Sequence, residues 1–335
     1  MKKSGKMRRA PRESASPMSS TTVGVTFPSF IRVKFKINKG MKYCIDEAQS
    51  IAYIFRKSMN PSEMLFKRGD MKLEREDFYC LQPGQEPSVY IMQLMAYKTS
   101  WTQSQLQQRI VWSLPLHFSE FILDLDIDGS QVVAFFFRDW LPRPAALRYI
   151  YIQMADKVHV TGEDHFYLVV VDINGGKMWL MDCYPTDDSI IRQKYAAKVV
   201  MSFPKPGIIA AYVTCMFRAR TLDYILKEKF SDLNLLGRRP PLAEWNPEFV
   251  LGIPNMGNCY KDKLWVLLWL QMEQYFTLNP IGKKRHNNID LLADKIRIDT
   301  ALGFATEHFN QMRDEFLQRT VIDWNSKRTM ADVLP

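Results

Sequence analysis

Two short apolar runs separated by a glycine-containing turn form the clearest pattern in the chain. Residues 166–173 (FYLVVVDI) and 177–182 (KMWLMD) flank the Asn-Gly-Gly turn at 174–176. β-Branched and aromatic residues favour strands, and an Asn-Gly pair supplies turn residues that tolerate positive φ. The pattern therefore predicts a β-hairpin, with His165 at the start of its first strand and Asp182 near the end of its second. These two ends should lie close together.

Further apolar runs predict more strands and a buried helix. Short β-branched and aromatic runs at 131–137, 148–152 and 249–253 predict more strands. The run at 264–270 (LWVLLWL) is apolar on every side, which for a helix means burial on every side. The chain therefore combines several predicted strands with a buried helix.

Apolar positions at helical spacing predict the remaining helices. One begins at Asp46, which can cap it, and a second apolar-periodic stretch covers 89–96. Two more are predicted at 189–200 and 300–319. The last of these is amphipathic and is expected to pack at the edge of the domain.

The N-terminus differs in composition from the rest of the chain. Residues 1–30 are rich in Ser, Pro, Lys and Arg, and no acid precedes Glu13. Such a run predicts a disordered basic tail; a nuclear-localisation, nucleic-acid or organelle-transit role is the alternative. No aromatic residue interleaves the basic run, so we expect no nucleic-acid partner. The predicted division is a tail at 1–30, a helical extension at 31–68 and one domain at 69–325.

The cysteines, the histidines and the lengths of the apolar runs limit the compartments, metal sites and membrane roles that the chain can have. The five cysteines are odd in number and form no CxxC pair, which favours free thiols in a reducing compartment, the nucleus or the cytoplasm. No Cys/His cluster has metal-ligand spacing, so we expect no metal site. No apolar run reaches the roughly 18 residues of a membrane span, so we expect no membrane association.

Two sequence blocks resemble the ubiquitin-like proteases, the SUMO/sentrin-specific type of cysteine protease. The run from His165 to residue 171 (HFYLVVV), followed by Asp182, resembles that family's His-Trp-x-Leu-x-Val…Asp segment. The stretches 255–258 (NMGN) and 264–267 (LWVL) are similar to its Gln-x-Asn-x-x-Asp-Cys-Gly-Val-x-Val block. The resemblance covers about residues 70–280, in family order. It is closest to divergent plant-type members, many of them carried by transposable elements.

The resemblance implies an α+β fold of the papain-like cysteine-protease type, with a small mixed central sheet flanked by helices and the helix at 264–270 at its heart. It also implies a set of roles. His165 corresponds to the family's base, Asp182 to the residue that orients it, and Phe166 to the Trp at the substrate tail. The implied partner is a SUMO-type modifier or its conjugates. No cofactor is implied, because this chemistry requires none.

The same register places a carboxylate where the family has its nucleophile. Asp262 falls on the Cys position, Lys263 on the Gly that follows it, and Met256 on the Gln of the oxyanion hole. A Met side chain has no hydrogen-bond donor. The resemblance therefore predicts a degenerate, inactive member of the family, a pseudoprotease. As a structural residue, Asp262 is expected to cap the helix that follows it.

Two other interpretations stay open at the level of sequence. In the first, Cys259 is a displaced nucleophile that acts with His165 and Asp182 in an active isopeptidase. In the second, the chain is a purely structural or interaction protein whose basic tail targets it, and the His165–Asp182 pair is a structural polar contact.

Overall fold

The computed structural model describes a little more than half of the chain. The described residues are 35–36, 42–106, 110–123, 147–157, 164–183, 247–250, 253, 261–271 and 289–331. The strand predicted at 131–137 and the helix predicted at 189–200 lie outside these ranges. The same holds for Met256 and Cys259.

Helices and strands are named here in chain order over the described residues. The helices are α1 (Ile45–Ile54), α2 (Val89–Gln105), α3 (Leu116–Leu123), α4 (Asp262–Gln271), α5 (Ile289–Ala305) and α6 (Arg313–Ala331), with a 3₁₀ helix at Arg75–Leu81. The strands are β1 (Met64–Arg68), β2 (Met71–Glu74), β3 (Val111–Leu114), β4 (Tyr149–Lys157), β5 (Asp164–Asp172), β6 (Lys177–Met181) and β7 (Pro247–Phe249). No helix among these is long and apolar enough to cross a membrane.

The central sheet is mixed, as the sequence predicts. Its strand order is β3-β4-β5-β6-β7. The three inner strands pair antiparallel, while β3 runs parallel to β4 and β7 runs parallel to β6. The predicted α+β class is confirmed.

The β5–β6 hairpin confirms the strongest local prediction, but its turn is wider than an Asn-Gly pair. Asp172 pairs with Lys177, which leaves the four residues 173–176 as the loop. The Asp172 carboxylate accepts the N–H of Gly175 at 2.8 Å, and Gly176 has a φ of 65°. A Cβ at Gly175 would clash with that carboxylate. Asp172 thus holds a four-residue loop that needs glycine at two positions.

Helix α4 lies at the centre of the core, as predicted. Apart from Lys263 and Gln271, all of its residues are buried, and it packs against β5, α2 and α5. Trp265 and Trp269, one helical turn apart, place their ring centroids 5.6 Å from each other. A helix apolar on all sides finds partners here on all sides, because the sheet and two helices enclose it.

The predicted helix at 300–319 is wrong in one respect, because two helices occupy this region. Helix α5 ends at Ala305 and α6 begins at Arg313. The side-chain amide of Asn310 explains the break. It donates to the carbonyls of Ala305 and Leu65, both at 2.9 Å, and its oxygen accepts the Lys67 N–H at 3.1 Å. The amide thus caps one helix and attaches it to strand β1.

Two other predicted elements have boundaries that differ from those of the structure by up to four residues. Helix α1 begins at Ile45 with Cys44, not Asp46, as its cap; the Cys44 sulfur accepts the Glu47 N–H at 3.5 Å. The strand predicted at 249–253 is β7, which starts at Pro247 and ends at Phe249. Such shifts are ordinary where a cap or a partner strand, rather than composition, sets the end of an element.

The N-terminal part of the described chain packs on its C-terminal part. Helix α1 packs against α6 and α5. The β1–β2 hairpin turns at Gly69, next to the predicted boundary between residues 68 and 69. The division of the chain into segments 1–30, 31–68 and 69–325 stays a prediction.

A buried arginine connects the end of helix α1 to the segment before strand β1. The Arg75 side chain is fully buried, and its guanidinium donates to the carbonyls of Asn60, Tyr53 and Ile54. It also donates to the Glu63 carboxylate at 2.6 Å. The fork of the guanidinium thus holds the end of α1 against the segment that leads into β1.

Removing this guanidinium should destabilise the fold strongly. We expect Arg75→Ala to lower the free energy of unfolding by about 2–4 kcal/mol, because several buried carbonyls lose their donor. Urea denaturation followed by Trp fluorescence measures this. The control is Lys72→Ala, which removes the exposed ion pair with Glu74 and should cost less than about 1 kcal/mol. Equal costs for the two variants would contradict the structural role of Arg75.

The histidine at the start of α3 should make the protein sensitive to acid. Burial lowers the pKa of His117 to about 4, and its Nε2 lies 2.8 Å from the Tyr97 hydroxyl. The unfolded chain therefore binds a proton more readily than the folded chain, and stability falls as pH drops from about 6.5 towards 4. We expect His117→Gln to flatten this fall in urea denaturation between pH 7 and 4.5. The control is His308→Gln, at an exposed position, and an equal flattening by this variant would contradict the role of His117.

Candidate functional site

The β5–β6 hairpin brings His165 and Asp182 together, as its pattern predicts. His165 is the second residue of β5 and Asp182 directly follows β6. The imidazole Nε2 lies 2.9 Å from Asp182 Oδ1, and neither side chain is exposed to solvent. A histidine and a carboxylate in this contact form a rigid, oriented pair.

The start of helix α4 supplies a third member, Asp262. The Lys261 carbonyl accepts the first helical hydrogen bond, from Trp265 N–H, so Lys261 is the N-cap and Asp262 is the first helical residue. The cap prediction is therefore wrong by one position. One carboxylate oxygen of Asp262 still accepts a helix N–H, that of Lys263. The other accepts the Phe166 N–H at 2.7 Å.

The imidazole of His165 lies between two carboxylates. Its Nδ1 is 3.1 Å from Asp262 Oδ2, on the opposite side of the ring from Asp182. A neutral imidazole carries only one N–H, so two hydrogen bonds to carboxylate oxygens require a second proton on the ring or on a carboxyl group. Burial raises the pKa of Asp262, although the hydrogen bonds from His165, Phe166 and Lys263 oppose that shift. We refer to His165, Asp182 and Asp262 as the buried triad.

The residues that follow His165 and Asp262 contact each other next to the triad. The Lys263 ammonium lies 4.6 Å from the centroid of the Phe166 ring and 2.6 Å from a carboxylate oxygen of Glu86. Glu86 precedes α2 and is mostly exposed, whereas the Lys263 side chain is only 13% exposed. Phe166 itself is 2% exposed. Lys263 therefore lies between the Phe166 ring and a surface carboxylate.

The triad is not arranged as a metal site. Its two carboxylates lie on opposite sides of one imidazole, so their oxygens do not converge on a point. In the ranges that the structure describes, no group of three or more His, Cys, Asp or Glu residues could hold a metal ion.

The structure brings together three of the residues that the sequence singled out, and Phe166 adjoins them. Met256 and Cys259 lie outside the described residues, so their predicted roles as oxyanion position and alternative nucleophile stay predictions. Sequence reasoning missed the Lys263–Glu86 pair. The only signal in the sequence was the acid at residue 86, where the ubiquitin-like proteases have other residue types. No local sequence pattern connects that acid to position 263.

Comparison with known proteins identifies the fold. No protein-family model matches the sequence. A search of curated protein sequences finds no match either. Among solved structures, the C-terminal Ulp1 protease domain in complex with Smt3, the yeast ortholog of SUMO, matches with a TM-score of 0.50 at 12% identity. The match covers 82% of this chain and 97% of that one. The chain has the fold of the Ulp1 protease domain.

A second solved structure is the SUMO protease Ulp1 with its catalytic cysteine oxidised to a sulfenic acid. It matches at 14% identity with a TM-score of 0.47, over 80% of this chain and 95% of that one. The Ulp1-type fold agrees with the papain-like, ubiquitin-like-protease fold that the two sequence blocks implied. That prediction of fold is confirmed.

Asp262 should contribute strongly to stability in this Ulp1-type fold. We expect Asp262→Ala to lower the free energy of unfolding by about 2–4 kcal/mol, since Phe166 N–H and His165 Nδ1 lose a buried acceptor. Exposed Asp164→Ala, at the start of β5, is the control and should change stability by less than about 0.5 kcal/mol. A double-mutant cycle with His165→Ala should show coupling of at least about 1 kcal/mol. Additive losses would indicate that the two side chains act independently.

Proposed function

We propose that the chain is a non-catalytic Ulp1-type domain that binds a SUMO-type modifier or its conjugates without cleaving them. One observation carries this proposal. The side chain at the start of α4 that contacts His165 Nδ1 is the carboxylate of Asp262, and a cysteine protease needs a thiol there. The contact on the other side of the ring, with Asp182, is the one that an orienting carboxylate makes.

The chemistry of a carboxylate explains why we expect no peptide cleavage. A histidine base acts by removing a proton from the nucleophile, and an ionised carboxylate has none to give. A carboxylate that attacked an amide would form a tetrahedral adduct in which it is a far better leaving group than the amine. The adduct would therefore return to the starting amide.

The resemblance contributes two further arguments for inactivity. It assigns the oxyanion position to Met256, which has no donor for the developing negative charge. It also assigns the substrate-tail position to Phe166, where the family has Trp. We attribute the losses to descent from a divergent, plant-type or transposon-carried protease.

The proposed ligand is a modifier because the solved structure with the same fold contains one. The Ulp1 domain was solved in complex with Smt3, the yeast ortholog of SUMO. A protein surface can persist after a nucleophile is lost, because the two depend on different residues. The free thiols of Cys44 and Cys80 fit a reducing compartment, and we propose the nucleus or the cytoplasm.

A modifier probe that carries a cysteine-reactive group at its C-terminus tests the proposal. We expect intact-mass analysis to show no adduct on the wild-type protein with Smt3 or ubiquitin probes. We expect the triple variant Asp262→Cys, Met256→Gln, Lys263→Gly to form an adduct with the Smt3 probe, and His165→Ala in that background to slow it at least about tenfold. Binding of unmodified Smt3 to the wild type is measured alongside by calorimetry.

Three outcomes would contradict the proposal. A wild-type adduct that Cys259→Ala and His165→Ala both abolish would show an active isopeptidase with a displaced nucleophile. A folded triple variant that forms no adduct would limit the likeness to the fold. A wild-type protein that binds neither modifier would favour an interaction protein with a different partner.

A further inference from the structure

We propose, on the basis of the function above, that Lys263 closes the approach to the buried triad. The domain then recognises the folded body of the modifier and excludes its C-terminal tail. The contacts of Lys263, rather than the identity of residue 262, then decide whether a modifier tail can enter the site.

The three side chains of the triad are almost completely withdrawn from solvent. The side chains of His165 and Asp182 are 0% exposed and that of Asp262 is 2% exposed. Isopeptide cleavage requires an extended tail to reach the nucleophile, and the triad offers such a tail almost no exposed surface. In the proposed closure, the side chain of Lys263, the residue after Asp262, lies on the path that the tail would take.

Three attractions hold Lys263 in place. Its ammonium lies over the Phe166 ring, in the geometry of a cation–π contact. It pairs with Glu86 at 2.6 Å. Its aliphatic stem is largely withdrawn from water, since only 13% of the side chain is exposed. An incoming tail would have to break the contacts with the ring and the carboxylate together.

A second lysine in the same arrangement gives a matched control. Lys177 lies 4.9 Å from the Trp179 ring centroid and 3.4 Å from Glu248, at the β6–β7 edge of the sheet. Its side chain is 48% exposed. Each of the two lysines contacts one aromatic ring and one acid of its own, but they differ in burial. Lys177→Ala therefore reports the general effect of losing such a lysine away from the triad.

Binding measurements test which part of the modifier is recognised. Titration calorimetry compares Smt3 with its complete C-terminal tail and Smt3 without that tail. For the wild type and for Lys177→Ala we expect the two dissociation constants to agree within about twofold. For Lys263→Ala we expect the tailed form to bind at least about fivefold more tightly than the tailless form. A wild-type protein that prefers the tailed form by that margin would overturn the proposal.

A chemical measurement tests closure without any modifier. In the Asp262→Cys background, iodoacetamide also reacts with the five native cysteines, so peptide mass spectrometry follows the alkylation of residue 262 alone. The limiting rate at high pH is compared, so that the fraction of thiolate does not enter. We expect added Lys263→Ala to raise this rate at least about tenfold, and added Lys177→Ala to leave it within about twofold. Equal rates for the two lysine variants would overturn the proposal.

The two measurements separate this inference from the proposed function. If wild-type protein binds no Smt3 but the alkylation rate depends on Lys263, the closure stands and the proposed ligand is wrong. If Smt3 binds through its tail, the ligand stands and the closure is wrong. Should Asp262→Cys fail to fold, as circular dichroism would show, the binding comparison in the Asp262 protein decides alone.

Discussion

The Asp262 carboxylate joins the first turn of helix α4 to strand β5, and the geometry of the site depends on this junction. One oxygen accepts a backbone N–H of its own helix, while the other accepts the Phe166 N–H and contacts the His165 ring. A buried carboxylate is tolerated only when such donors compensate for lost hydration. Because β5 is the middle strand of the sheet and α4 lies at the centre of the core, the junction fixes these two elements relative to each other.

The elements that the sequence predicts best are those determined by local chemistry. The β5–β6 hairpin follows from two β-branched, aromatic runs around a glycine turn, and α4 from a run that is apolar on every side. The juxtaposition of His165 and Asp182 follows directly from the hairpin. The errors lie where a distant residue decides. The break between α5 and α6 depends on a side-chain amide that bonds strand β1, some 245 positions away in sequence.

The candidate site divides in the same way. Alignment of two short blocks was enough to put Asp262 near His165, because both blocks belong to elements with clear patterns. The Lys263–Glu86 pair could not be predicted from the sequence, since position 86 precedes a different helix and no periodicity relates the two residues. Whether a lysine at a helix start extends into solvent or folds back over an aromatic ring is settled by tertiary packing, which a single sequence does not record.

The double role of the Asp262 carboxylate has an evolutionary consequence. A substitution that placed a thiol at position 262 would supply a nucleophile, but the Phe166 N–H and the His165 ring would lose a strong acceptor, because sulfur accepts hydrogen bonds only weakly. A step towards cysteine chemistry would therefore begin with a less stable protein, before Met256 or Lys263 had changed. Selection for a stable fold would oppose that step, and the junction therefore favours keeping a carboxylate at position 262.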